Sequence, residues 1–410
     1  MAIIKPFKSY RPAENADKIA CPPYDVISSE EARKMAEGNP ISFLHIDKPE
    51  IDLPAGTDLY DSSVYAKGRE NLDKFIAEGI LKEEKKPCFY IYAQTMDGRT
   101  QYGIVAATST EEYDKGLIRK HELTRKDKEE DRTRHIQALE ATTGPVFLTY
   151  PDNEKINTLV ADICKKEPIY NFTTEDKITH KVWVIADDAL IKALEDEFKN
   201  IPLLYVADGH HRSASAANNA RQKRAENPNH TGNEGYNYFL SVIFPASHLY
   251  IMAYNRLVKD LNGLTEDAFF AVLKRNFEIE KTKLQVPPAR HQFCMYIDKK
   301  WYLLTAKPTA FDASNPVSSL DVSILQNLVL APLLGIKDPR TDKRINFVGG
   351  IRGTKELMKE VDSGAYKVAF SMYPTSIEEL MKVADQNLIM PPKSTWFEPK
   401  LRSGLLIYKY

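Results

Sequence analysis

Cysteine is scarce in this chain: four in 410 residues, Cys21, Cys88, Cys164 and Cys294, far apart and without a C-x-x-C pair. With 43% hydrophobic residues, a chain this long buries enough core to need no disulfides. The cysteines therefore read as reduced core residues, which suits a cytoplasmic setting. Net charge is nearly absent as well, with 56 Lys and Arg against 57 Asp and Glu. That balance argues against a broad positive field for nucleic acid, and no helix-turn-helix with a basic recognition face is apparent. Long apolar runs are missing: none comes near the roughly 18 residues of a membrane-crossing helix. The opening MAIIKPFKSYRP reaches Lys5 and Pro6 too soon to hold the apolar stretch of a signal peptide. There is no repeat of fixed period, which excludes a solenoid or propeller. Neither G-x-x-x-x-G-K-[ST] nor G-x-G-x-x-G occurs, so any phosphate site must use another architecture.

What the chain does have is an interleaving of strand-like and helical patterns. Apolar or alternating runs predict strands near 88–94, 102–107, 145–150, 181–186, 203–207, 238–244, 248–253, 293–297, 301–305, 368–372 and 405–408. Helical periodicity covers about 63–78, 126–142, 154–165, 187–198, 212–226, 266–275, 320–334, 354–361 and 376–387. Hairpin-like neighbours among helices imply a mixed sheet in a mixed α/β (α+β) fold. Composition shifts at Val286-Pro287-Pro288, which places a lobe boundary there: a first lobe over 1–285, and a C-terminal α/β lobe over 286–410 whose tail returns to the site.

The most informative stretch is IPLLYVADGHHRSASAANNA, residues 201–220. A strand-forming run reaches Asp208 and Gly209, and a helix then opens. Gly209 gives the backbone freedom to reverse and lets a ligand approach the main chain. The first turn of the helix has unpaired N–H groups and a partial positive charge, which attract an anion. Arg212 offers a forked donor for phosphate oxygens, and His210 and His211 can donate hydrogen bonds or carry protons. Adjacent histidines are also ordinary surface polarity. Metal binding through Asp208, His210 and His211 is disfavoured, because neighbours on a helix point about 100° apart.

DGHHRSASA resembles the turn of the ParB/sulfiredoxin-like fold that grips nucleotide phosphates, and is especially similar to that of free serine kinases. Along nearly its whole length the chain resembles the family called domain of unknown function 1015, through CPPYDVIS at Cys21, KHELT at Lys120 with Asp131-Arg132 downstream, VADGHHR, and MPPKSTWFEPKLRSGLL from Met390. The resemblance implies a ParB/sulfiredoxin-like core. For members with an assigned activity it also implies phosphorylation of free serine with pyrophosphate or a nucleotide as donor. A sulfiredoxin-like reductase is disfavoured, since His210 stands where that turn has its reactive cysteine.

The expected chemistry is in-line phosphoryl transfer to a small alcohol, L-serine first, with positioning and electrostatics in place of a covalent nucleophile. Asp208, Gly209, His210, His211 and Arg212 would hold the donor, with Mg²⁺, to which Asp208 is a weak candidate ligand, neutralising charge. Glu122, beside His121, is the preferred general base. Thr124-Arg125-Lys126-Asp127 has capping-box-like spacing for the next helix, whose charged run predicts a solvated face from which Arg132 turns inward to phosphate. Lys393, Ser394 and Thr395 follow a stiff Pro-Pro pair and, with Lys400, would close over the transferred group; the same segment also reads as a plain connection. Tyr24 and Asp25, in a second Pro-Pro turn, either line the substrate pocket or merely join strands. The rival reading is a nucleotide-binding (CTP or ATP) switch without phosphotransfer. The expected partners are serine and a donor, with neither nucleic acid nor membrane; an oligomer is left open.

Overall fold

The computed structural model describes residues 2–410 and divides into two compact units. The first runs to Leu249 and regains Pro399–Tyr410; the second is Tyr250–Glu398. The fold is mixed α/β, as the alternating patterns imply.

The first unit is built on a nine-stranded sheet of β1 (Ile4–Lys5), β2 (Phe89–Met96), β3 (Arg99–Ser109), β4 (Ile118–Arg119), β5 (Val146–Tyr150), β6 (Tyr170–Thr173), β7 (Thr179–Ile185), β8 (Leu204–Asp208) and β9 (Tyr238–Pro245). Strand order is β4-β8-β5-β9-β3-β2-β7-β6, with β1 on β3 beyond the end of β2. Only β8 with β4 and β9 with β5 are parallel. Central strands such as VFLTY in β5 are buried throughout, because both sheet faces are covered; continuous apolar runs are what such strands need. Helices α1 (Ser62–Ala77), α2 (Lys126–Leu139) and α3 (His210–Glu226) follow the expected spans closely. Asp61 starts α1 by accepting from the Ser63 amide. Between α1 and the returning tail lies a separate apolar cluster that includes Ile19, Phe43, Leu72, Phe75, Leu139 and Ile407.

The tail is woven into this unit. Ser403 bridges Cys21, Ile407 bridges Tyr10, and Tyr408–Lys409 pairs with Ala141–Thr142. Two expectations for α2 need correction. It has no side-chain cap, since the Thr124 hydroxyl donates to Glu129 2.6 Å away. Nor is it a solvated rod: Asp131, Thr133, His135, Ile136 and Leu139 are buried, because α2 lies between α1 and α3.

The second unit carries a six-stranded, wholly antiparallel sheet of β10 (Tyr254–Val258), β11 (Phe277–Thr282), β12 (Gln292–Ile297), β13 (Lys300–Ala306), β14 (Ile345–Gly349) and β15 (Val368–Met372), ordered β11-β13-β12-β15-β10-β14. The lobe boundary expected at 286 falls inside this unit. Val286-Pro287-Pro288 is the loop that carries the chain from β11 past β13 to β12, so its composition marks a sheet connection; the chain changes unit at Tyr250. The expected 320–334 helix is α-helical only over Asp321–Leu325 and continues as a π turn over Gln326–Leu330.

Candidate functional site

The register of β8 against β5 slips between Val206 and Asp208, leaving Ala207 as an extra residue. A bulge of this kind re-aims the strand end, and here it delivers Asp208 and Gly209 to the start of α3. Gly209 takes φ +93° and ψ +34°, a left-handed conformation. A Cβ there would sit 3.4 Å from the Arg212 guanidinium and 3.5 Å from the Val146 Cα. We expect Gly209→Ala to cost about 1–2 kcal/mol from backbone strain alone, read as a lower urea midpoint with an unchanged far-UV spectrum. The first backbone bond of α3 runs from the Ser213 amide to the Gly209 carbonyl. The amides of His210, His211 and Arg212 thus precede the helical ladder.

Asp208 is anchored on both sides. Its Oδ1 accepts from the Gly209 amide at 2.8 Å and its Oδ2 from Lys400 Nζ at 2.9 Å. Burial would raise its pKa, but Lys400 and Arg212 outweigh it and hold the carboxyl well below the usual range. Lys400 arrives on the returning tail, where Gln94 donates to its carbonyl. Arg212 is buried; it donates to the Pro145 carbonyl and, at 3.2 Å, to Asp25 Oδ2. Burial opposes its charge, and Asp25 and Asp208 more than restore it. The fork expected to clasp phosphate is therefore engaged in fixing the turn to β5 and to the Tyr24–Val26 3₁₀ turn.

His210 and His121 are both buried and pack edge to face, ring centroids 4.4 Å apart at 88°. Burial, then the neighbouring His121, keeps the His210 pKa well below its ordinary value; burial lowers that of His121 to about 4. Neither ring nitrogen of His121, nor Nε2 of His210, meets a partner in hydrogen-bond geometry, although the Asp208 carboxylate and the Val206 carbonyl partly offset the effect of burial on His121. Glu122 Oε2 lies 4.0 Å from His210 Nδ1. His211 faces elsewhere: its Nε2 accepts from the Arg125 amide at 3.0 Å, so it is a neutral acceptor there, with its pKa lowered by burial.

Behind the turn, Tyr24, Asp47, Arg132, Thr143, Gly144 and Arg212 line a cavity of about 30 Å³, room for about two waters. Asp47 Oδ2 and Arg212 Nε are buried there without a protein partner. Arg132 does turn inward, but it pairs with Asp131 at 2.9 Å and lies 4.2 Å over the Tyr24 ring. This cavity is too small for a phosphorylated substrate.

Of the residues singled out from sequence, Tyr24, Asp25, His121, Glu122, Arg132, Asp208, Gly209, His210, Arg212 and Lys400 converge within the first unit. Lys393, Ser394 and Thr395 belong to the second unit. There the Lys393 carbonyl accepts from Arg256, the Ser394 hydroxyl donates to the Pro391 carbonyl, and Thr395 leads into the strand Trp396–Glu398. Each oxygen of Asp208, the expected weak metal ligand, already accepts one hydrogen bond, from the Gly209 amide and from Lys400. Among the described residues the grouping with ligand-like spacing is His121, Glu122 and His210, whose donor atoms lie within 4.8 Å of one another. Two imidazoles and one carboxylate are a nitrogen-rich donor set, whereas Mg²⁺ prefers oxygen ligands.

A family model described as protein of unknown function (DUF1015) matches residues 4–323. The chain belongs to the DUF1015 family. No curated protein matches it. Among solved structures, a free serine kinase in complex with AMP is 11% identical over 74% of this chain and 92% of its own, with a TM-score of 0.35. SbnI with a C-terminal truncation, from Staphylococcus aureus, is 12% identical over 74% and 87%, with a TM-score of 0.40. A conserved hypothetical protein from Pyrococcus furiosus is 12% identical over 74% and 95%, at 0.34. As a DUF1015 member the chain has the mixed α/β first unit that its motifs implied. Among the described residues no helix is long and apolar enough to cross a membrane.

Proposed function

We propose that this DUF1015 protein is a small-molecule kinase that transfers a phosphoryl group to a hydroxyl, with free L-serine as the first-choice acceptor and pyrophosphate or a nucleotide as donor. The observation that carries the reading is the Asp208–Lys400 pair at the opening of α3, where a lysine and three amides outside the helical ladder meet beside Glu122. Donor oxygens would bind the α3 amides and Lys400. Arg212 would act through the turn, holding it against Asp25 and the Pro145 carbonyl. Glu122 would take the hydroxyl proton as the phosphoryl group arrives. Asp208, kept ionised by its cationic neighbours, is too weak a base for that step and instead orients Lys400.

The test is incubation of the purified protein with serine and, separately, pyrophosphate, ATP and ADP, followed by phosphorus NMR. Phosphoserine is expected with at least one donor. Silence with every donor would remove the proposal, and tight nucleotide binding in its place would favour the switch reading.

A further inference from the structure

We infer that His121, Glu122 and His210 form a binding site for an imidazole-preferring divalent cation, of the Zn²⁺ or Co²⁺ class rather than Mg²⁺. One observation carries this beside the spacing of the three donors. His121 is 1% and His210 6% exposed, yet His210 Nε2 has no hydrogen-bond partner, and the His121 nitrogens have none in good geometry, although the Val206 carbonyl approaches that ring. Buried polar nitrogens are almost always satisfied by protein, water or an ion. The donor set then selects the ion: imidazole suits zinc and the later first-row transition metals, for which Co²⁺ is a coloured stand-in, whereas Mg²⁺ asks for near-octahedral oxygen.

The fit needs a small adjustment. Ligands across one ion stand at most about 4.2 Å apart, twice a metal–nitrogen bond of about 2.1 Å. The donors lie within 4.8 Å of one another, and Glu122, 41% exposed where both histidines are enclosed, is the member able to close the difference by side-chain rotation. Three protein ligands leave at least one position open, the arrangement of catalytic rather than structural ions. His210 is the first residue of α3, so such an ion would lie close to where the proposed donor oxygens would bind. In the loaded protein Glu122 would hold the ion by one oxygen and keep the other for the hydroxyl proton.

The test uses the full chain, dialysed against a chelator and then titrated with Co²⁺, with Mg²⁺ in excess throughout. One Co²⁺ per chain is expected, with the visible d–d bands of nitrogen ligation and displacement by Zn²⁺. Since even outer-shell changes cost metal sites about 10–100-fold in affinity, Glu122→Gln and His210→Asn are each expected to weaken Co²⁺ at least tenfold, while His230→Asn, a surface histidine, changes nothing. Absence of a stoichiometric ion, or affinity unaltered in both site variants, would overturn the inference; Glu122→Gln keeps it testable if the histidine variant does not fold. Phosphoserine formation is scored separately. Co²⁺ binding without phosphoserine would sink the kinase reading alone, and phosphoserine formed with Mg²⁺ in a chain that takes no Co²⁺ would sink the ion site alone.

Discussion

Exchange of Glu122 for glutamine should lower phosphoserine formation by about 10²–10⁴-fold, the usual contribution of a positioned general base, while leaving the fold intact. The fold should survive because the carboxylate is 41% exposed and the imidazole facing it, His210 with Nδ1 at 4.0 Å, is kept uncharged by burial. Asp208 should behave differently. It sits between Lys400 and the Gly209 amide, so Asp208→Asn weakens the anchor of the turn and should lower stability together with rate. Glu122→Gln should act on rate at unchanged stability. Steady-state rates with saturating donor and Co²⁺, set beside urea midpoints, separate the two. If Glu122→Gln turns over at the wild-type rate, Glu122 is not the base.

Much of this arrangement is legible in the sequence because it is local. The strand, glycine and helix of VADGHHR follow from short-range rules, and β8, Gly209 and α3 stand where those rules put them, α3 opening two residues earlier than periodicity alone indicates. What cannot be read is pairing across long stretches of chain. Asp25 meets Arg212 across 187 positions and Lys400 meets Asp208 across 192. Nothing in either local pattern announces that the arginine fork is already engaged, so the motif taken alone points it at phosphate. The contact of His121 with His210 is of the same kind: β4 and β8 are parallel neighbours, so the residues just beyond their ends are brought together by sheet topology. Local composition also misleads at Val286-Pro287-Pro288, because a loop crossing over a strand and a linker between lobes draw on the same turn-forming residues. Strands β10, β11 and β14 are hidden for a related reason. Exposed polar residues dilute the apolar signal of β11 (FEIEKT) and β14, whereas in β10 the polar Asn255 and Arg256 are buried and do so from within the core.

The first unit should lose stability as the pH falls from about 6.5, well before most carboxylates titrate. Besides His121 and His210, two more of its buried histidines contribute to the effect. His135 is buried and uses Nε2 to reach the Ile46 carbonyl at 3.0 Å; burial, reinforced by Arg132, lowers its pKa to about 4. His180 lies between Tyr92 and Phe172, bonded to the Tyr92 hydroxyl at 2.8 Å and to Thr174 at 3.1 Å; burial, then Arg402, lowers its pKa to about 3. Both titrate near 6.5 when unfolded, so below that pH the unfolded chain binds protons that the folded one refuses. Their stabilising effect is complete above pH 6.5 and is lost progressively as the pH falls toward the folded values. A tenfold difference in proton affinity is worth about 1.4 kcal/mol, so each ring contributes on the order of 3 kcal/mol across that window. Trp183 in β7 reports on the first unit once Trp301 and Trp396 of the second are replaced by phenylalanine. Its urea midpoint should fall steeply between pH 6.5 and 4. His180→Asn should be less stable at pH 8 yet show a shallower slope, because one of the proton-refusing rings is gone. A midpoint that stays level across this range would mean that both imidazoles take up protons in place, and that the apolar surroundings argued for them are more open to water than their burial implies.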